Sequence, residues 1–211
     1  MASRPGFDGA AAVTRSLLGW GVVAPVFYLV FGLVLALTRP GFDLSKHALS
    51  LLTLGDGGWL QILNFVLTGL MVLAAAYGFW RALPRRATGA LLAVYGVCLV
   101  LSGVFRPDPV GGFPPGAPEG ASASGVLHLA FGGVGFLCLA AACFTAAGVV
   151  GAASRVAGVV VLLGFAGGAA TGGAPVGVLL LWVAVVVGLG WLAFASVRAY
   201  RQVPHPVLAR R

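Results

Sequence analysis

The sequence predicts an all-α polytopic membrane protein, with six transmembrane helices in one bundle and both termini in the cytoplasm. Three observations predict it. Hydrophobic residues make up 60% of the 211 residues, charged residues only 9%, and the mean hydropathy is +1.03. The apolar residues fall into six runs of roughly the 20 residues that a spanning helix needs. The cations gather beside alternate ends of those runs. A soluble domain carries about 25% charged residues, so this chain could not cover a globular surface with polar groups. Disorder is excluded too, because it requires low hydrophobicity.

The runs in order are 17–38, 59–80, 88–105, 125–150, 156–172 and 176–197. The first is too long for the apolar region of a cleaved signal peptide, and no small-x-small cleavage site follows it. It is expected to remain as a span, kinked at Pro25 by the missing N–H. The fifth is the shortest and rich in glycine. In it Gly164, Gly168 and Gly172 repeat every four residues, a ridge that lets a neighbouring backbone approach closely. That ridge serves packing within the bundle or a homodimer. The chain thus divides into a cytoplasmic segment 1–16, a six-helix domain 17–198 and a basic cytoplasmic tail 199–211.

Orientation follows from the Arg and Lys count on each side. One side carries Arg4, Arg15, Arg81, Arg85, Arg86, Arg155, Arg198, Arg201, Arg210 and Arg211, ten of the thirteen cations. The other carries Arg39, Lys46 and Arg106. The first side is therefore expected to be cytoplasmic and the protein to lie in the cell membrane. The net charge of +8 does not indicate nucleic acid, because the cations are scattered and form no clustered footprint. Cys98, Cys138 and Cys143 all sit in apolar runs and read as small core residues.

Two long outer loops, 39–58 and 106–124, contrast with inner turns of a few residues. Loops of this length without structure of their own are uncommon and often functional. The second holds five prolines and four glycines, which exclude regular structure and make it stiff. It is a rigid connector or a lid. Four of the five acidic residues and two of the three histidines lie on this outer side.

The first loop leads through His47 and the turn Gly55-Asp56-Gly57-Gly58 into the second span. Asp56 is placed to cap that helix, and Trp59 to anchor it at headgroup level. Gln61, Asn64 and Thr68 follow at spacings of three and four, which puts them on one helix face. Amides do not face lipid without cost, so this stripe is expected to point into the bundle. There it either bonds to neighbouring helices or lines a pocket. After the third span come Arg106, Pro107, Asp108 and Pro109, with Ser102 one turn before Arg106. His128 opens the fourth span. Asp108 is expected to contact Arg106 or a histidine, as a local ion pair or as part of a site.

The pattern H-x-x-S-x-L-x-x-G-D-x-G-W-x-Q-x-x-N-F from His47, then F-x-x-D-P, a Pro-rich loop and a histidine resembles the domain-of-unknown-function 998 family of small multi-span membrane proteins. The matching stretch runs from His47 to His128, and the span count suits the rest. The resemblance implies the fold and the choice of residues. It implies no reaction.

Three functional classes stay open. In the first, Asp108, His128, Asp56, His47 and Arg106 converge as the catalytic groups of a membrane-embedded enzyme. Trp59, Gln61, Asn64, Thr68 and Ser102 then line a pocket for an apolar, lipid-like substrate such as an isoprenoid, polyketide or phospholipid. A carboxylate beside histidine in a partly dry site is suited to general acid-base chemistry, including proton-initiated cyclisation or isomerisation. The second class is a non-catalytic binding or accessory protein. The third is a carrier for a neutral solute, since ion-coupled transport would place ionisable groups near the midplane. No metal is expected, because the histidines and carboxylates show no ligand spacing, and no other cofactor is expected.

Overall fold

A computed structural model describes residues 7–207. Arg4, Arg210 and Arg211, part of the charge argument above, lie outside the described residues. Six helices form: α1 Gly9–Thr38, α2 Gly58–Ala82, α3 Ala87–Val104, α4 Ala123–Val150, α5 Ala153–Ala170 and α6 Pro175–Gln202. Each is long and apolar enough to cross a membrane. A short 3-10 helix, η1, spans Leu49–Thr53 inside the first long loop. Among the described residues the only extended pairing is an isolated bridge between Val110 and Phe113.

Helix ends follow capping chemistry, which hydropathy does not report. α1 starts at Gly9, within the segment expected to precede the first span. Asp8 is its N-cap, accepting the Ala11 N–H at 3.0 Å, and Ala10, Ala11 and Ala12 are strong helix formers. The helix is continuous through Pro25. At the other terminus α6 runs on to Gln202, beyond its apolar run.

Helices adjacent in sequence pack against each other, and α6 returns to α1, closing a ring; α6 also touches α2 and α4. Leu18, Val72, Phe79, Leu92, Leu139 and Leu192 are buried at the centre. Val30, Leu37, Leu70, Leu129, Leu163 and Leu179 point outward. Lipid is as apolar as those side chains, so exposing them costs little and burying them supplies little drive for helix association. Close backbone packing takes that role. A Cβ on Gly69 would lie 2.7 Å from the Gly96 carbonyl oxygen, and one on Gly96 would lie 3.0 Å from that of Gly69. This pair sets the approach of α2 to α3. The glycine ridge of α5 works likewise against α6. A Cβ on Gly164 would meet the Leu180 carbonyl at 2.7 Å, and one on Gly168 the Gly177 carbonyl at 3.0 Å. Gly172 lies past the helix end, in a turn, with open space at its Cβ position.

The bundle has two distinct ends. At the termini end, the chain before α1 pairs with the chain after α6: Asp8 N–H donates to the Pro206 carbonyl at 2.9 Å, and Arg15 donates to that of Val203 at 2.9 Å. The loop end carries residues 39–57, residues 105–122 and the short α5–α6 turn.

Candidate functional site at the loop end

His47 is buried, 3% exposed, and ties the two long loops together. The Asp43 N–H donates to its Nδ1 at 2.9 Å, and the Gly111 carbonyl lies 2.9 Å from its Nε2. A backbone N–H can only donate and a carbonyl can only accept, so the hydrogen resides on Nε2. Both ring nitrogens are thereby committed. The ring packs beside Phe42 and Phe113, which meet each other edge to face with centroids 5.2 Å apart. Phe113, with Leu51 and Leu54, makes a small apolar core outside the bundle. Asp43 turns the chain into this arrangement. Its carboxylate accepts the Ser45 hydroxyl at 2.6 Å and the Ser45 N–H at 2.9 Å, and pairs with Lys46 at 3.3 Å. These contacts, the Ser45 hydroxyl foremost, hold its pKa down at about 2.

Arg39 fastens the same loop from below, its guanidinium donating to the Leu54 carbonyl at 2.5 Å and, at 3.4 Å, to that of Leu52. A recess of about 160 Å³ opens beside it, between Leu35, Leu52 and Leu60. Asp56 is exposed and does not cap α2. The N-cap is Gly57, whose φ of 76° is the left-handed conformation, and no side chain bonds there. Trp59 is 64% exposed, on the outside of the bundle rather than in a pocket.

Asp108 sits at the N-terminus of α4. Its carboxylate accepts the Ser122 N–H at 3.1 Å, while the Ser122 hydroxyl accepts the Gly125 N–H at 3.0 Å. The carboxylate lies over Gly125, where a Cβ would collide with it. Two residues thus share the orphan N–H groups and the positive dipole end of one helix. The expected contact of Asp108 with Arg106 or a histidine does not form. Among the described residues the Lys46–Asp43 contact is the ion pair present, and the Arg106 side chain is exposed. Helix N–H groups already in place supplied the nearer partner. Ser124 Oγ donates to the Arg106 carbonyl at 2.9 Å, closing the loop onto α4.

His128 is on α4, one turn below Gly125 and therefore below Asp108. Its Nδ1 faces two carbonyl oxygens at the end of α3, Phe105 at 2.8 Å and Ser102 at 3.0 Å. Both are acceptors, so Nδ1 carries the hydrogen and donates to groups that α3 leaves unpaired at its C-terminus. The ring meets Phe65 edge to face, centroids 6.3 Å apart. Ser102 is buried and takes part through its carbonyl.

The α2 stripe points inward. Gln61, Asn64 and Thr68 are all 0% exposed. Asn64 Nδ2 donates to the Tyr28 carbonyl of α1 at 3.2 Å and to Gln61 Oε1 at 3.1 Å, and Thr68 Oγ1 donates to Asn64 Oδ1 at 3.4 Å. Gln61 Nε2 has no partner among the described residues. Gly32 of α1 faces Leu49 and the Asn64 amide here.

The loop end therefore holds three separate polar assemblies. His47 joins loop to loop, Asp108 caps α4, and His128 joins α4 to α3. Asp56 and Arg106 stand outside all three. Among the described residues no three of His, Cys, Asp or Glu gather as a metal-holding set. Arg39, Phe113 and Gly111 are structural keys that the sequence reading passed over. Phe113 carried a signal, being the one aromatic residue in a stretch of proline and glycine.

No curated protein and no solved structure matches the chain. Residues 22–198 match the family described as Protein of unknown function (DUF998). That stretch takes in four helices whole and more than half of α1 and of α6, with both long loops, and the chain belongs to this family.

Proposed function

We propose that the protein is a non-catalytic binding or accessory component of the cell membrane, with both termini cytoplasmic and the rigid loop end presented outside. One observation carries this reading: in the two long loops the buried or half-buried ionisable side chains, Arg39, Asp43, His47 and Asp108, are spent on holding the cap together. His47 uses both nitrogens on the backbone, and Asp108 accepts the Ser122 N–H at the start of α4. What the cap offers outward is a fixed surface bearing Asp56, Arg106 and Glu119. Rigidity of this kind lowers the ordering cost of binding.

A second reading rests on His128. With Nδ1–H held by carbonyls, the lone pair is on Nε2, the orientation that suits a general base. Asp108 is one turn above, and Phe65, beside the His128 ring, follows the buried Asn64 in α2. In this reading the protein is an enzyme acting on an apolar lipid-like molecule that enters from the bilayer.

Complementation of a chromosomal deletion separates the two. Accessory function predicts that His128→Gln, if it accumulates and unfolds like the parent, complements fully, while the double surface variant Asp56→Arg/Arg106→Glu does not. A well-folded His128→Gln that fails to complement, beside a surface variant that succeeds, would overturn the first reading in favour of the second.

A further inference from the structure

The termini end contains a recess that the reading above leaves unused. It measures about 560 Å³ and lies between the start of α1, the last turn of α2, the α2–α3 turn and the chain after α6. Asp8, Thr14, Tyr77, Trp80, Arg81 and Arg86 line it.

Its two arginines are held in different ways. Arg81 Nε donates to Thr14 Oγ1 at 2.9 Å and Nη2 donates to the Ala10 carbonyl at 3.4 Å, which fixes the plane of the guanidinium and leaves its Nη1 hydrogens for a ligand. Arg86 lies over the Trp80 ring, 5.3 Å from its centroid. Among the described residues neither forms an ion pair. Asp8 is the only acidic residue in the sequence on this side, and its Oδ1 already accepts the Ala11 N–H. Two guanidinium groups thus face one hollow against a single carboxylate that pairs with neither, an excess of positive charge that suits an anion.

The walls say which anion. Tyr77 is 53% exposed and Trp80 39%, both on the outer surface at the end of a spanning helix, the depth at which aromatic rings meet lipid headgroups. Ala82, Val203 and Pro204 add apolar wall. A free phosphate needs no such wall, whereas the glycerol and first methylenes of a lipid do. Basic pockets between spanning helices suit phosphate headgroups, and the arginine fork matches phosphate oxygens in pairs.

We propose that this recess binds the phosphate of one anionic phospholipid, Arg81 and Arg86 holding its oxygens and Tyr77 and Trp80 flanking its glycerol. The site stands apart from the loop-end reading and does not depend on it.

Detergent-solubilised full chain, titrated with phosphatidylglycerol and separately with phosphatidylcholine, tests this by native mass spectrometry and by thermal unfolding. The expected result is one retained phosphatidylglycerol and a raised unfolding temperature, with at least tenfold weaker retention of phosphatidylcholine. Arg86→Gln should weaken phosphatidylglycerol binding about tenfold, the loss of one charge-assisted contact. The Arg86 side chain makes no hydrogen bond among the described residues, and its carbonyl bond to Ala90 is kept by any side chain, so this variant is expected to fold. Arg81→Lys keeps the charge but not the fork, and should also weaken binding. Arg198→Gln, at the same end but outside the recess, should bind as the parent does. Equal retention of the two lipids, or undiminished binding by Arg86→Gln, overturns the proposal. So does inorganic phosphate displacing the lipid at comparable concentration, which would assign the hollow to a free anion.

Discussion

The two ends of the bundle treat polar side chains in opposite ways. At the loop end, His47, Asp108 and His128 bond to backbone groups that the chain's own turns and helix ends leave unpaired. At the termini end, Arg81 and Arg86 border a recess in which, among the described residues, neither forms an ion pair. The difference comes from the connections. Loops of near 20 residues expose many backbone groups, each costly to leave unpaired where water is scarce, and polar side chains are drawn into serving them. Turns of a few residues expose few, so Arg81 keeps its Nη1 hydrogens and the Arg86 guanidinium is bonded to nothing among the described residues, although Arg15 and Arg81 each serve one carbonyl. Richness in acid-base residues therefore marks here the end that most needs internal bonding.

The comparison can be broken most directly at Phe113. It is 1% exposed and holds Phe42 and His47 together. Phe113→Ala should cost the cap about 3–5 kcal/mol, the range for a buried phenyl ring. Hydrogen exchange should then rise across residues 42–54 and 110–115 while the spans stay protected. Unchanged exchange in both loops would mean that they are not joined.

At α4, the side-chain acceptor on the helix N-terminus matters more than its charge. Asp108→Ala should destabilise by about 1–2 kcal/mol, as for loss of a capping residue, and Asp108→Asn by less than about 1 kcal/mol because an acceptor remains. Gly125→Ala should resemble Asp108→Ala, since the new methyl evicts the carboxylate. Equal losses for Asn and Ala at 108 in thermal unfolding would show that charge dominates.

The buried stripe gives a smaller and more pointed contrast. Asn64→Leu removes the bond to α1 and strips Thr68 and Gln61 of their partner, at about 1–2 kcal/mol. Gln61→Leu removes an unpartnered amide nitrogen but also the Oε1 that accepts from Asn64; the gain and the loss offset, and the cost should stay below about 1 kcal/mol. A Gln61→Leu loss as large as that of Asn64→Leu would point to a further partner for Gln61, such as bound water.

The smallest effect is in the first loop. Asp43 has its pKa lowered to about 2, from an ordinary 3.8, by the Ser45 hydroxyl and N–H. A lowered carboxylate contributes stability that is whole above the ordinary value and lost as pH falls through the lowered one. Protection of the Ser45 amide should persist through pH 3 and fade near pH 2. Fading near pH 4 would show that the carboxylate is not held.

Much of this was legible in the sequence because the bilayer allows few solutions. A run such as 59–80 must be a helix that satisfies its own backbone, and α2 occupies 58–82. The inward direction of Gln61, Asn64 and Thr68 followed from the same cost. Helix starts were less legible. α1 begins at Gly9 because Asp8 caps it, and capping is indifferent to hydropathy.

The sequence by itself determined the number of spans, the class of fold, the end that carries the cations and the face of α2 that is buried, because each depends on residue type and spacing against a fixed lipid solvent. Only the tertiary structure decided what His47, Asp108 and His128 do. Their partners are the Gly111 carbonyl, the Ser122 N–H and the carbonyls of Ser102 and Phe105. Every residue carries such backbone groups, so no pattern of side chains reports which of them a folded loop will leave unpaired.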